Sequence, residues 1–172
     1  STWSTPITLS TARYGHVSVQ FPNKSVVILG GFNAVGGSND VTMIYTDGTF
    51  WHTKDLAVCP KTFGSTLKAL YLSSNKIMVI GAPVGEERMA TYIYDINLDQ
   101  WSSVVYGDLS YIRQPGVDMI ELPDGRVLVV GGSCSQLGNG GVATKITEIF
   151  DFNTKRWTAG PSTSVPHNQS KL

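Results

Sequence analysis

Short apolar runs closed by small residues recur along the chain. They are Val26-Val27-Ile28-Leu29 before Gly30-Gly31, Met78-Val79-Ile80 before Gly81-Ala82, and Val127-Leu128-Val129-Val130 before Gly131-Gly132. Each run is apolar on successive residues instead of alternating, which predicts a strand covered on both faces, as in sheets stacked against sheets. The same signals repeat around each run. A strand candidate precedes it at residues 15–21, 66–72 and 116–122, joined by a tight polar turn at Pro22-Asn23-Lys24, Ser73-Ser74-Asn75 or Pro123-Asp124-Gly125. Asn, Asp and Gly accept the backbone conformations that tight hairpins demand. A third strand, rich in β-branched and aromatic residues, follows at 42–46, 91–96 and 146–152. Turns at Asp47-Gly48, Asn97-Leu98-Asp99 and Asn153-Thr154-Lys155 lead into a fourth strand that carries a Trp.

Trp3, Trp51, Trp101 and Trp157 are the four tryptophans of the chain, spaced 48, 50 and 56 residues apart. A repeat of about 50 residues with four short antiparallel strands per unit predicts an all-β protein made of propeller blades. The whole chain, residues 1–172, reads as a single repeat array. Residues 1–5 read as the outer strand of a preceding blade, 6–55 as blade 1, 56–105 as blade 2, 106–160 as blade 3 and 161–172 as a tail. Trp51, Trp101 and Trp157 are expected to be at least partly buried between blades or strands.

These residues resemble the kelch family, whose repeat places a Gly pair after an apolar strand, then a Tyr, then a Trp about six residues on. Gly30, Gly31, Tyr45 and Trp51 fit that pattern, as do Gly131, Gly132, Phe150 and Trp157. The middle repeat keeps Gly81, Tyr94 and Trp101 but has Ala82 for the second Gly. The resemblance implies a ring of about six or seven blades, whereas this chain supplies three. Two expectations follow: the chain is part of a longer propeller, or two copies pair as a homodimer to close the ring. In either case Val27, Leu29, Val79, Val127 and Val129 are expected on the open sheet faces.

Composition narrows the function classes. Thirteen Lys+Arg balance 13 Asp+Glu, with no basic cluster of the kind nucleic-acid binding needs. Only 15% of residues are charged, as suits a turn-rich β domain. No apolar stretch reaches the roughly 20 residues of a membrane-spanning helix, and no leader pattern opens the chain. The first residue is Ser, which is compatible with removal of an upstream segment. Cys59 and Cys134 stand 75 residues apart in different repeats, and neither has a His or Cys at zinc-ligand spacing.

Kelch-like blades also build copper-radical oxidases of the galactose oxidase type, so a fragment of such an enzyme is an alternative reading. The Leu122-Pro123-Asp124-Gly125-Arg126-Val127 turn resembles theirs, but Pro115 and Gly116 stand where their Tyr-His ligand pair belongs. His16, His52 and His167 are scattered, and copper binding wants convergent imidazoles. No nucleophile elbow, P-loop or zinc-protease pattern is present. The expectation is a binding module without catalytic residues, metal or cofactor, and His16 is expected to bond a backbone carbonyl.

In an up-and-down blade the loop between strands two and three shares one face with the connection to the next blade. The long segments 32–41, 54–63, 83–90, 106–115 and 133–145 all fall there, and loops on a rigid scaffold are where recognition resides. Candidate binding residues on that face are Arg13, Tyr14, Asn33, Asn39, Asp40, Glu86, Glu87, Arg88, Tyr111, Arg113, Gln136 and Asn139. Arg13 and Arg113 suit either carboxylate recognition or a structural bond within the inter-blade connection. The partner class is a protein or a glycan; the alternative is a structural subunit that uses open blade faces as interfaces. Sequons at Asn23 and Asn168 lean towards a surface or extracellular setting, while the terminal Ser170-Lys171-Leu172 matches a peroxisomal address.

Overall fold

Three four-stranded antiparallel meanders stack face to face in a computed structural model that describes residues 6–63, 67–86, 89–102, 109, 113, 116–134 and 142–166. Blade 1 consists of β1 (Val17–Gln20), β2 (Val26–Leu29), β5 (Val41–Thr46) and β6 (Trp51–Asp55). Between its second and third strands lies a small hairpin of β3 (Phe32–Asn33) and β4 (Gly36–Gly37). Blade 2 consists of β7 (Lys68–Leu72), β8 (Lys76–Gly81), β9 (Ala90–Asp95) and β10 (Gln100–Trp101). Blade 3 consists of β11 (Val117–Glu121), β12 (Val127–Gly131), β15 (Glu148–Asp151) and β16 (Arg156–Ala159), and its inserted hairpin pairs β13 (Ser133–Cys134) with β14 (Val142–Ala143). No helix occurs among the described residues. Calls on residues 1–5, Glu87, Arg88, Tyr111, Gln136, Asn139, His167, Asn168 and the terminal tripeptide lie outside them.

The first strands β1, β7 and β11 are sheet edges on one side of the array, and β7 is in contact with both β1 and β11. Two apolar cores fill the spaces between blades. Val27, Leu29 and Val41 of blade 1 meet Ile77, Val79, Tyr92 and Tyr94 of blade 2. Met78, Ile80 and Ile93, from the other face of blade 2, meet Val127, Val129 and Phe150 of blade 3. The unbroken apolar run of β8 is thereby explained, because alternate residues serve two cores.

Two expectations need correction. Val27, Leu29, Val79, Val127 and Val129 are all buried inside the inter-blade cores. The open faces carry other residues: Val26, Ile44 and Trp51 on blade 1, and Ile120, Leu128 and Ile149 on blade 3. Trp51 is 46% exposed, while Trp101 and Trp157 are partly buried as expected. Trp51 lies on the face of blade 1 turned away from blade 2, where no described blade covers it, and the register moves Tyr45, not Trp51, to the other side of the sheet. Tyr94 pairs with Trp101 and Phe150 with Trp157, each seven residues later. Tyr45 precedes Trp51 by only six, so Tyr45 pairs with His52, and Trp51 pairs with Thr46 on the opposite face. A one-residue change in spacing flips a side chain across the sheet. Tyr45 and His52 stack at 5.3 Å, where the other blades have Tyr94–Trp101 at 5.1 Å and Phe150–Trp157 at 5.2 Å.

The small residues ending each second strand have different jobs. Gly31 has φ +93°, and an added Cβ would lie 2.5 Å from the Tyr14 carbonyl oxygen and 2.9 Å from the His16 nitrogen. The incoming connection crosses this backbone too closely for a side chain. In blade 2 the left-handed conformation is absent at both positions, so Ala82 is accommodated; Gly81 is needed because Phe63 lies 2.8 Å from where its Cβ would be.

Candidate functional site

Arg113, one of the two arginines in the connections, is wholly buried. Its Nε and Nη2 donate to Oε2 of Glu148 at 3.1 and 2.9 Å, and Nη1 donates to the carbonyls of Gly131 and Ile146 at 2.7 and 2.9 Å. Glu148 is also buried and opens the third strand of blade 3. Four charge-assisted bonds thus tie the blade 2–3 connection to the top of the next sheet. Arg113 is therefore not a surface anion receptor.

Arg13 performs a related task in blade 1 with a different partner set. Its Nη1 donates to the Asp40 carbonyl at 2.7 Å and its Nη2 to Thr42 Oγ1 at 2.5 Å. The Thr42 hydroxyl passes the polarity on, donating to Asp55 Oδ1 at 2.9 Å, and Ser10 Oγ donates to the same oxygen at 2.9 Å. The carboxylate stands on the third strand in blade 3 and on the fourth in blade 1, with a hydroxyl bridging the gap. Nε of Arg13 is buried without a partner among the described residues.

The other candidates divide into shapers of the loops and an exposed surface. Asn33 Oδ1 accepts from the Val35 amide at 3.0 Å and turns the β3–β4 hairpin. Asn39 and Cys59 exchange bonds: Asn39 Nδ2 donates to the Cys59 carbonyl, and the Cys59 amide to the Asn39 carbonyl, both at 2.9 Å. Asp40 accepts from Ser38 Oγ at 2.8 Å, and Glu86 accepts from Lys61 Nζ at 2.7 Å. Tyr14 is 69% exposed, and its ring stacks on Phe32 at 5.7 Å with 26° between planes.

Around Tyr14 the structure gathers an exposed patch that the sequence did not single out. Val35 and Val84 are both exposed. A Cβ on Gly37 would lie 2.6 Å from the Thr62 methyl and 3.3 Å from a Val84 methyl, so the blade 1 hairpin is seated against the connection and the blade 2 loop. The Val84 amide donates to the Thr62 carbonyl at 2.8 Å. Tyr14, Phe32, the hairpin and Val84 therefore form one continuous surface spanning two blades.

A second concavity, also missed in the sequence, lies on the tight-turn side. It holds about 290 Å³ between blades 2 and 3, lined by Ile93, Leu98, Phe152 and the Lys76–Asp95 ion pair. The hydrogen bond from Lys76 is the main reason the Asp95 carboxyl is held below its ordinary range. The pair neutralises itself, so the cleft presents mainly apolar walls.

His16 and His52, the histidines among the described residues, do not converge on a shared site. His16 is exposed and bonds none of the described residues, contrary to the expected carbonyl contact. His52 Nε2 meets Asp47 Oδ2 at 2.9 Å on the outer strand, and Asp47 is depressed chiefly by accepting from the Phe50 amide. Among the described residues no three His, Cys, Asp or Glu side chains are placed to share a metal ion. Cys59 is a free thiol buried in the first core, and desolvation pushes its pKa up to about 12. The thiolate is the reactive form, so Cys59 is expected to resist iodoacetamide at neutral pH while folded and to react once denatured. Mass spectrometry of the peptide checks this; rapid native labelling would contradict the burial. Asn23 sits exposed at a hairpin tip, its Oδ1 accepting from the Ser25 amide and hydroxyl at 3.0 and 2.6 Å.

No protein-family model matches the chain, and no curated protein matches it. Among solved structures, one described as "Structure of YjhT" is similar with a TM-score of 0.61 at 13% identity, over 90% of this chain and 52% of that one. The chain thus spans about half the length of that structure, and the likeness concerns the fold. No helix among the described residues is long and apolar enough to cross a membrane.

Proposed function

We propose that the chain is a non-enzymatic, kelch-type propeller module that recognises a protein partner through its long-loop face. The observation that carries this reading is the patch of Tyr14, Val35 and Val84, exposed together on a surface made rigid by the β3–β4 hairpin. Soluble surfaces seldom hold contiguous apolar area without a use for it. Aromatic anchors flanked by aliphatic contacts are the usual centre of protein recognition. The kelch assignment is supported by the Gly, aromatic and Trp positions and by the close chain crossing at Gly31. The reading calls for no cofactor: Arg13 and Arg113 are occupied in holding connections, and among the described residues no His, Cys, Asp and Glu cluster is placed to hold a metal.

A glycan partner is the second reading, favoured by the flat, solvent-facing ring of Tyr14. The test compares the protein with a Tyr14→Ala/Val35→Asp variant whose melting temperature and circular dichroism are unchanged. The account expects cross-linking to a protein partner at the hairpin, lost in the variant. Binding to an immobilised glycan array that Tyr14→Ala abolishes would select the glycan instead. A partner retained by the double variant would remove the long-loop face from the account.

A further inference from the structure

Among the described residues two sheet faces of the array are uncovered, and the interfaces inside it show what covers such a face. In each, a Trp from the following blade bonds across the seam: Trp101 Nε1 donates at 2.8 Å to the carbonyl of Ala57, in the connection that leaves blade 1, and Trp157 Nε1 to Thr91 Oγ1 of blade 2 at 2.9 Å. Trp51 belongs to the corresponding face of blade 1, since it shares that face with Ile44 and Val26. It is 46% exposed, and its indole N–H has no partner among the described residues. At the other end, Leu128 and Ile149 of blade 3 occupy the register that Met78 and Ile93 fill in blade 2, where blade 3 buries them. Beside them Ile120 is 41% exposed. One end thus offers an unused Trp and the other an unfilled apolar receiving face.

We propose that the Trp51 face of blade 1 docks on the Ile120–Leu128–Ile149 face of blade 3 in a second copy of this chain, so that two arcs of three blades close into one ring. A twofold arrangement forms this interface twice, because each copy supplies both kinds of face. The surface is distinct from the long-loop face, so this proposal and the proposed partner recognition stand or fall separately.

Light scattering at micromolar concentration on the whole chain tests it. Trp51→Glu and Ile120→Glu both alter residues that are exposed within one copy, and circular dichroism verifies that each variant folds. The expected result is a particle of twice the chain mass that each variant reduces to a single chain. Mixing the two variants restores a dimer, because one interface of the mixed pair then joins two unaltered faces. A monomeric parent protein overturns the proposal, as does a dimer that survives either substitution or variants that stay monomeric when mixed.

Discussion

Replacing Arg113 by Ala is expected to cost about 3–5 kcal/mol of folding stability, the range for breaking a buried ion pair from one side. The substitution removes the guanidinium from beside the buried Glu148 carboxylate, and it takes a donor from the carbonyls of Gly131 and Ile146 in the same space. Loss of the opposite charge next to a buried carboxylate is the larger part of that cost. The double variant Arg113→Met/Glu148→Leu removes both charges and is expected to lose less than Arg113→Ala alone. Urea unfolding of the three proteins checks the order. A loss below about 1 kcal/mol for Arg113→Ala would mean that the guanidinium reaches water and that the connection is not anchored as described.

Trp157→Ala is expected to cost about 3 kcal/mol, the low end for truncating a large core aromatic, since the ring is only partly buried. The loss has two sources. The indole packs on Phe150 within the second inter-blade core, and its N–H is bonded to Thr91, a buried residue of the neighbouring blade. Trp101→Ala should behave alike through Tyr94 and Ala57. Trp51→Ala is expected to change the stability of a single chain by no more than about 0.5 kcal/mol, as surface substitutions do. The contrast between identical substitutions at repeat-related positions is the informative result; equal losses at all three would contradict the exposure of Trp51 on the uncovered face of blade 1.

The blades were legible in the sequence because each rests on local signals. The turns after β1, β7 and β11 carry Lys24, Asn75 and Gly125 at one left-handed position, with φ of 69°, 59° and 84°. Turn chemistry and apolar runs of this kind are readable without knowing what packs on them. Face assignment was less legible. Tyr45 and Trp51 look like their counterparts in the other repeats, yet one residue fewer between them puts the two rings on opposite faces. The roles of Arg13 and Arg113 were readable only as a pair of options, because the deciding partners, Thr42 and Glu148, lie 29 and 35 residues away. The exposed patch was half visible. Tyr14 stands out in the sequence, but the hairpin that carries Val35 meets Val84 only when it seats against the next blade.

The stacking of each blade on the one before it through its own Trp is tested most directly by proton NMR of the indole N–H groups. Nuclear Overhauser contacts are predicted from Trp101 to Ala57 and from Trp157 to Thr91, pairs 44 and 66 residues apart that only blade stacking brings together. Both protons should exchange slowly with water. Indole protons of Trp101 and Trp157 that exchange freely, or that lack these two contacts, would contradict the stacked-blade account.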